Sequence, residues 1–130
     1  MGKKTITPAV PHVTSFQRAE VATAFAQGLP LIETGRYKVH ASRRDKPGMA
    51  EIHTLDTDII YVQEGSATFV TGGTVVDAKT IEPNEIRGPA TQGGETRQIA
   101  KGDVFTVPNG TPHWFRDVNG PLTYYVVKVR

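Results

Sequence analysis

An all-β barrel or sandwich with one early helix is the fold class this sequence predicts. Three observations carry the prediction. Short runs of β-branched and aromatic residues recur from Leu31 onward. Gly, Pro, Asn and Asp punctuate them at regular intervals. Only Phe16 to Gln27 is rich in Ala, Gln, Arg and Glu, the composition of a helix.

Taken in order, residues 1–14 contain Pro8 and Pro11, show no period and read as an extended arm. Residues 15–130 read as one domain, with a short helix over 15–27 and a barrel over about 31–130. Thr14 or Ser15 can cap the helix, because a hydroxyl accepts from the unpaired N–H groups of a first turn. Gly28 and Pro30 stop it. Phe16, Val21 and Phe25 make a partial apolar stripe, so the helix is expected to lie on something larger. Tyr37 to Arg43 alternates with period two, as does Ile52 to Thr54. Ile59–Val62 and Ala67–Thr71 flank Gln63-Glu64-Gly65-Ser66, which reads as a hairpin turn. Gly72-Gly73 turns the chain before Thr74–Val76, and the Gly- and Pro-rich stretch Asn84 to Gly94 is expected to be a mobile loop. Glu95–Ala100, Val104–Val107, His113–Val118 and Leu122–Val129 supply the remaining strands.

Composition narrows the function classes. A chain of 130 residues fits one domain and can bury a core without staples. Fifteen basic against 13 acidic residues leave a net charge of +2, and the only tight basic groups are Lys3-Lys4 and Arg43-Arg44. No basic stripe interleaved with aromatics exists, so nucleic acid is not an expected partner. The absence of cysteine excludes disulfides, thiolate metal sites and cysteine nucleophiles. No stretch approaches the ~20 apolar residues of a membrane-spanning helix, and no membrane role is expected. The start of the chain lacks the apolar core of a secretory signal, which makes the cytoplasm the expected location; a leader already removed would leave no trace.

The ionisable residues around two of the strand pairs suggest chemistry. Glu51 and His53 are two apart, so on a strand they share a face. Asp58 follows just before the apolar run Ile59–Val62, and His113 comes directly after the rigid Pro108-Asn109-Gly110-Thr111-Pro112 turn. Carboxylate oxygens and imidazole nitrogens suit divalent first-row metals. Three or four of them converging in an apolar barrel would leave coordination positions open, which is the catalytic rather than the structural arrangement.

With these residues placed, the sequence resembles the cupin superfamily. That family's first motif runs Gly, five residues, His, one, His, three or four, Glu, six, Gly. Here Glu51-Ile52-His53, four residues, Asp58, six residues and Gly65 keep the spacing, with Glu51 for the first His, Asp58 for the Glu and Asp45 for the leading Gly. The second motif runs Gly, five, Pro, one, Gly, two, His, three, Asn, and Gly102, Pro108, Gly110 and His113 fit it, with Asp117 for the Asn. The resemblance implies a jelly-roll barrel with a pocket in which His53, Asp58, His113 and Glu51 hold a divalent transition metal, iron, manganese, nickel or zinc. Lyase, isomerase and dioxygenase chemistries on a small polar metabolite all occur on this barrel, with Glu51, His53 and His113 as the catalytic candidates. A metal-free dehydratase or epimerase, or a module that only binds a sugar or small acid, is the competing reading. The resemblance also implies a homodimer that pairs through sheet edges and exchanges N-terminal segments.

Each residue also has a plainer reading. The two histidines could simply be hydrogen-bonded. Asp58 could cap a turn with Asp56. Glu51 is as readily an ion-pair partner for Arg43 as a ligand. Val39, Ala41 and Arg43 share one strand face, so a barrel-facing Val39 would turn Arg43 inward, where its planar fork could clamp a carboxylate. Phe115 shares a face with His113 and is expected in the pocket wall, as are Tyr61 and Tyr125; Lys128 reads as a solvated charge.

Overall fold

The structure, a computed structural model, describes residues 12–130. The expected arm therefore falls outside the described residues as far as position 11, and residues 12–17 form neither helix nor strand. The helix, α1, covers Arg18–Gln27. Its cap is Gln17 and not Thr14 or Ser15: the Gln17 backbone N–H donates to Glu20 Oε1 at 3.0 Å, the return half of a capping box. Gly28, at φ +71°, ends the helix and donates its N–H to Ala24 O at 2.7 Å.

The strands are β1 (Leu29–Glu33), β2 (Tyr37–Arg44), β3 (Ala50–His53), β4 (Thr57–Thr71), β5 (Thr74–Val75), β6 (Lys79–Glu82), β7 (Glu85–Gly88), β8 (Thr91–Gln92), β9 (Glu95–Ala100), β10 (Val104–Val107) and β11 (His113–Val129). Nine of them form one curled sheet, in which β1-β2-β11-β3-β7-β6 run side by side and β4 pairs with β11, β9 and β10; β5 and β8 pair separately. This is the all-β barrel architecture that the strand pattern predicts.

Two further expectations need correction. Gln63 to Ser66 is not a hairpin turn. The chain runs straight through as β4, 15 residues long, and β11 pairs with it along both halves. The Asp58–Tyr61 half of β4 takes β10 as its other neighbour, and the Ser66–Thr71 half takes β9. Gly65 supplies the bend between the halves at φ +84°, a conformation an L side chain adopts only with strain. A Cβ there would lie 2.6 Å from Pro121 O and 2.9 Å from Leu122 Cα, both backbone atoms. Gly65→Ala is expected to cost about 1–3 kcal/mol of stability from the backbone conformation alone, read as a lower urea midpoint. An unchanged midpoint would show that the bend does not depend on glycine. The second correction is that Asn84 to Gly94 is not a structureless loop: it carries β7 and β8, and β7 is hydrogen-bonded to β3.

The main core lies between the curled halves: Ile60, Val62, Ala67, Phe69, Ile99, Val107, Phe115, Leu122, Tyr124 and Val126. A second, smaller cluster sits on the outside of the barrel. There Ala24 and Phe25 of α1 bury Ala41, with Leu31 and Tyr125 alongside. The Phe25 and Tyr125 rings meet edge to face at 4.8 Å. This contact decides the orientation of β2. Ala41 faces the helix, so Val39 and Arg43 point to the outer face and Ser42 and Arg44 point inward. No helix among the described residues is long and apolar enough to cross a membrane.

Candidate metal centre

The register of three strands assembles the site. On β3, Glu51 and His53 point to one face. His113, the first residue of β11, is the direct cross-strand partner of Glu51. On the other side of β3, β7 sets Arg87 opposite Glu51 and Glu85 opposite His53. The Pro108–Pro112 turn docks here through two backbone bonds: Gly110 N–H donates to His53 O, and Gly72 N–H donates to Pro112 O, both at 2.8 Å. Residues 60 positions apart in sequence are thereby fixed in one patch.

Glu51, His53 and His113 each offer a ligand atom, and these atoms lie within 4.8 Å of one another. The imidazole rings are 4.9 Å apart. Both histidines are held by Nδ1. His53 Nδ1 donates to Glu85 Oε1 at 2.5 Å, and His113 Nδ1 donates to the Thr111 carbonyl at 3.1 Å. Since both partners only accept, Nδ1 carries the proton in each ring and Nε2 turns toward the cluster. His53 Nε2 lies 3.3 Å from Glu51 Oε1.

Asp58, expected among the ligands, is buried against both imidazoles, beside the Glu51–His53–His113 group. Its Oδ1 accepts from Lys128 Nζ at 2.9 Å, while Oδ2 stands 3.7 Å from His53 Nε2 and 3.9 Å from His113 Nε2. Lys128 is thus no solvated charge; it is the ion-pair partner of Asp58, whose side chain is buried at 3% exposure.

Electrostatics follow from this packing. Burial would lower the His53 pKa, but hydrogen bonds to Glu51 and Glu85 outweigh it and raise the pKa to about 9. Burial would raise Glu51, yet its hydrogen bond with His53 and the surrounding cations bring it down to about 2. Glu85 is lowered as well, burial being overcome by its bond to His53. His113, the more buried ring, is pushed down by burial. The cluster therefore holds ionised carboxylates, one protonated imidazole and one neutral imidazole at pH 7.

The pocket-wall candidates are not all brought together. Phe115 lies in the core, 4.7 Å from Phe69 and 5.1 Å from Tyr124 between ring centroids. Arg43, Tyr61 and Tyr125 lie elsewhere. Arg43 points outward and pairs with Asp45 at 2.9 Å. Tyr61 is 44% exposed on the outer face of β4, and Tyr125 packs under α1. The partner of Glu51 is Arg44, one residue from the expected Arg43, at 3.4 Å. Sequence reading missed Glu85, Arg44 and Arg87. Only pairing across strands reveals them, apart from the alternation that makes Arg43 and Arg44 face opposite ways.

These features can be set against known proteins. A family model described as cupin matches residues 8–129. The chain is a cupin. A search of curated proteins found no match. Among solved structures, this cupin resembles a Bacillus halodurans protein at 15% identity, over 95% of this chain and 86% of that one, with a TM-score of 0.64. It also resembles a hydroquinone 1,2-dioxygenase solved with Cd2+ and 4-hydroxybenzonitrile, at 10% identity over 98% and 82%, with a TM-score of 0.61. A Neisseria meningitidis protein follows at 15% identity over 85% and 96%, TM-score 0.56. At such identities these likenesses establish the fold. Within the cupin pattern, His53 and His113 stand at their motif positions, and Asp58, in place of the motif Glu, is occupied by Lys128.

Proposed function

We propose that this cupin binds one divalent transition-metal ion through Glu51 Oε1, His53 Nε2 and His113 Nε2, and that it acts there on a small polar metabolite. The observation that carries the reading is the shared orientation of the two imidazoles. Each has Nδ1–H tied to an oxygen, one of them a carboxylate, and both turn Nε2 to one place, 3.7 and 3.9 Å from Asp58 Oδ2, with His53 Nε2 also 3.3 Å from Glu51 Oε1. That is how metal-binding histidines are held, their outer partner fixing tautomer and ring angle. The donor set of two imidazoles and one carboxylate fits iron, manganese, nickel or zinc. A bound ion would supply Lewis-acid polarisation of a substrate oxygen.

The surrounding residues have separable roles. Glu85 orients His53. The Thr111 carbonyl orients His113. Asp58, paired with Lys128, stands near both Nε2 atoms as an oxygen placed to complete the ligand set. The dioxygenase solved with Cd2+ supports the fold's capacity to hold a metal but does not select a reaction for this chain.

Metal binding is expected to release about one proton at pH 7. His53 must give up its Nε2 proton, whereas His113 and Glu51, both lowered, are already deprotonated there. Affinity for zinc should therefore rise about tenfold per pH unit between about 7 and 9 and then level off. Titration calorimetry with ZnCl2 in buffers of different ionisation enthalpy measures the proton count. A wild-type protein that takes up no zinc overturns the proposed function, and uptake without proton release overturns the assignment of His53 Nε2 as a ligand.

A further inference from the structure

Arg44 has no place in a purely metal-holding role, yet Tyr124, Glu51 and the Phe115 ring all hold it. It is the last residue of β2 and lies inside the curl. Its guanidinium carbon lies 4.6 Å from the centroid of the Phe115 ring, and its Nε donates to the Tyr124 hydroxyl at 3.0 Å. Nη2 reaches the metal cluster through Glu51 Oε2 at a long 3.4 Å. Gly48 makes room for it: a Cβ on that glycine would fall 2.4 Å from Nη1 and 3.1 Å from the guanidinium carbon. Nη1 makes no side-chain hydrogen bond or ion pair among the described residues, and it is not among their sealed-off unpaired polar atoms. Arg44 is thus fixed on three sides with donors to spare.

The charge of the site points the same way. Glu51, Asp58 and Glu85 are each paired with a basic side chain, Arg44, Lys128 and Arg87 respectively. With each carboxylate already paired to a basic side chain, none is left over to balance a divalent ion, and unbalanced charge in a buried site is costly. An anion is needed to balance it. A planar guanidinium with free N–H groups recognises a carboxylate better than any other anion-binding side chain, because two parallel hydrogen bonds match its fork.

We infer that Arg44 is the substrate-binding residue of this site and that the substrate class is a small carboxylic acid, its carboxylate on Arg44 and a neighbouring oxygen turned toward the Glu51–His53–His113 cluster. The charge argument and the placement of the second oxygen rest on the metal reading; the carboxylate contact with the free N–H groups of Arg44 rests on geometry alone.

Lactate and lactamide separate the two parts, since they share a skeleton and hydroxyl and differ in charge. Binding is read by calorimetry and by the rise in melting temperature, on metal-free and on zinc-loaded protein. Wild type is expected to bind lactate saturably and about 10- to 100-fold more tightly than lactamide, the range of one charge-assisted hydrogen-bonded contact. Zinc should strengthen lactate binding further. Arg44→Met should erase the preference for lactate, and Arg44→Lys, which keeps the charge but not the fork and guards against misfolding of the first variant, should retain only part of it. Arg43→Met removes the same charge one residue away, on the outer face, and should leave binding at the wild-type level. No saturable lactate binding by wild type, equal binding of lactate and lactamide, or an Arg44→Met protein that binds like wild type overturns the inference. Lactate binding that Arg44 controls but zinc does not affect upholds the clamp and counts against the metal reading alone.

Discussion

The variant His53→Ala/His113→Ala is expected to emerge from chelator-free purification without stoichiometric metal, while the wild type carries close to one ion per chain. Removing both imidazoles leaves Glu51 as the single residue of the three-atom cluster. One carboxylate does not hold a first-row ion against water. The loss should exceed the 10- to 100-fold that removing even an outer partner costs. Glu85→Gln provides that lesser case. It keeps size and an acceptor but removes the charge at 2.5 Å from His53 Nδ1, so affinity should fall by about 10- to 100-fold while the chain stays folded. The graded order, wild type above Glu85→Gln above the double variant, is what distinguishes a metal centre from a buried ion-pair network. Mass-spectrometric metal analysis with circular dichroism on the same samples measures it. Equal metal content in wild type and double variant, or none in either, sinks the assignment.

The largest stability effect is expected at Phe69. Its side chain is fully buried, and its ring contacts Phe105 at 4.9 Å and Phe115 at 4.7 Å, with His113 at 6.2 Å. It stands on β4 opposite Phe115 of β11 and Arg97 of β9, at the centre of the half of the barrel that carries His113. Phe69→Ala removes a ring that neighbouring strands, pinned on both sides, cannot move in to replace. The expected cost is about 3–5 kcal/mol, transfer and cavity terms together, and a melting temperature lower by about 10 °C or more. Tyr61→Ala, on the same strand but facing out, should change stability by only about 0.5 kcal/mol. Equal effects of the two substitutions in urea titrations would mean that the inside and outside of β4 have been misread.

Much of the barrel was legible because strand pattern is local. Period-two runs, glycine turns and the single Ala-rich segment place most strands and α1 near their observed positions. The Gln63–Ser66 turn was misread because a glycine between two apolar runs marks a bend as well as a reversal. Only the neighbours decide between them, and here β11 follows β4 around the corner on both sides of Gly65.

The sequence by itself determined that Glu51 and His53 share a face, that His113 follows a rigid turn, and that the spacing is that of a cupin. Those are consequences of a two-residue repeat and of chain stiffness, which act over a few residues. Tertiary structure decided the rest. Local alternation fixes that Arg43 and Arg44 face opposite ways but not which of them faces in; Ala41 packing under Phe25 and Ala24 makes that choice and puts Arg44 inside. Likewise, nothing local ties Glu85 to His53 or Lys128 to Asp58. Strand register does, by setting β7 against β3 and β11 against β4. Opposed residues in a sheet come from distant parts of the chain, so the charge balance of this site, and with it the case for a carboxylate, exists only in the folded protein.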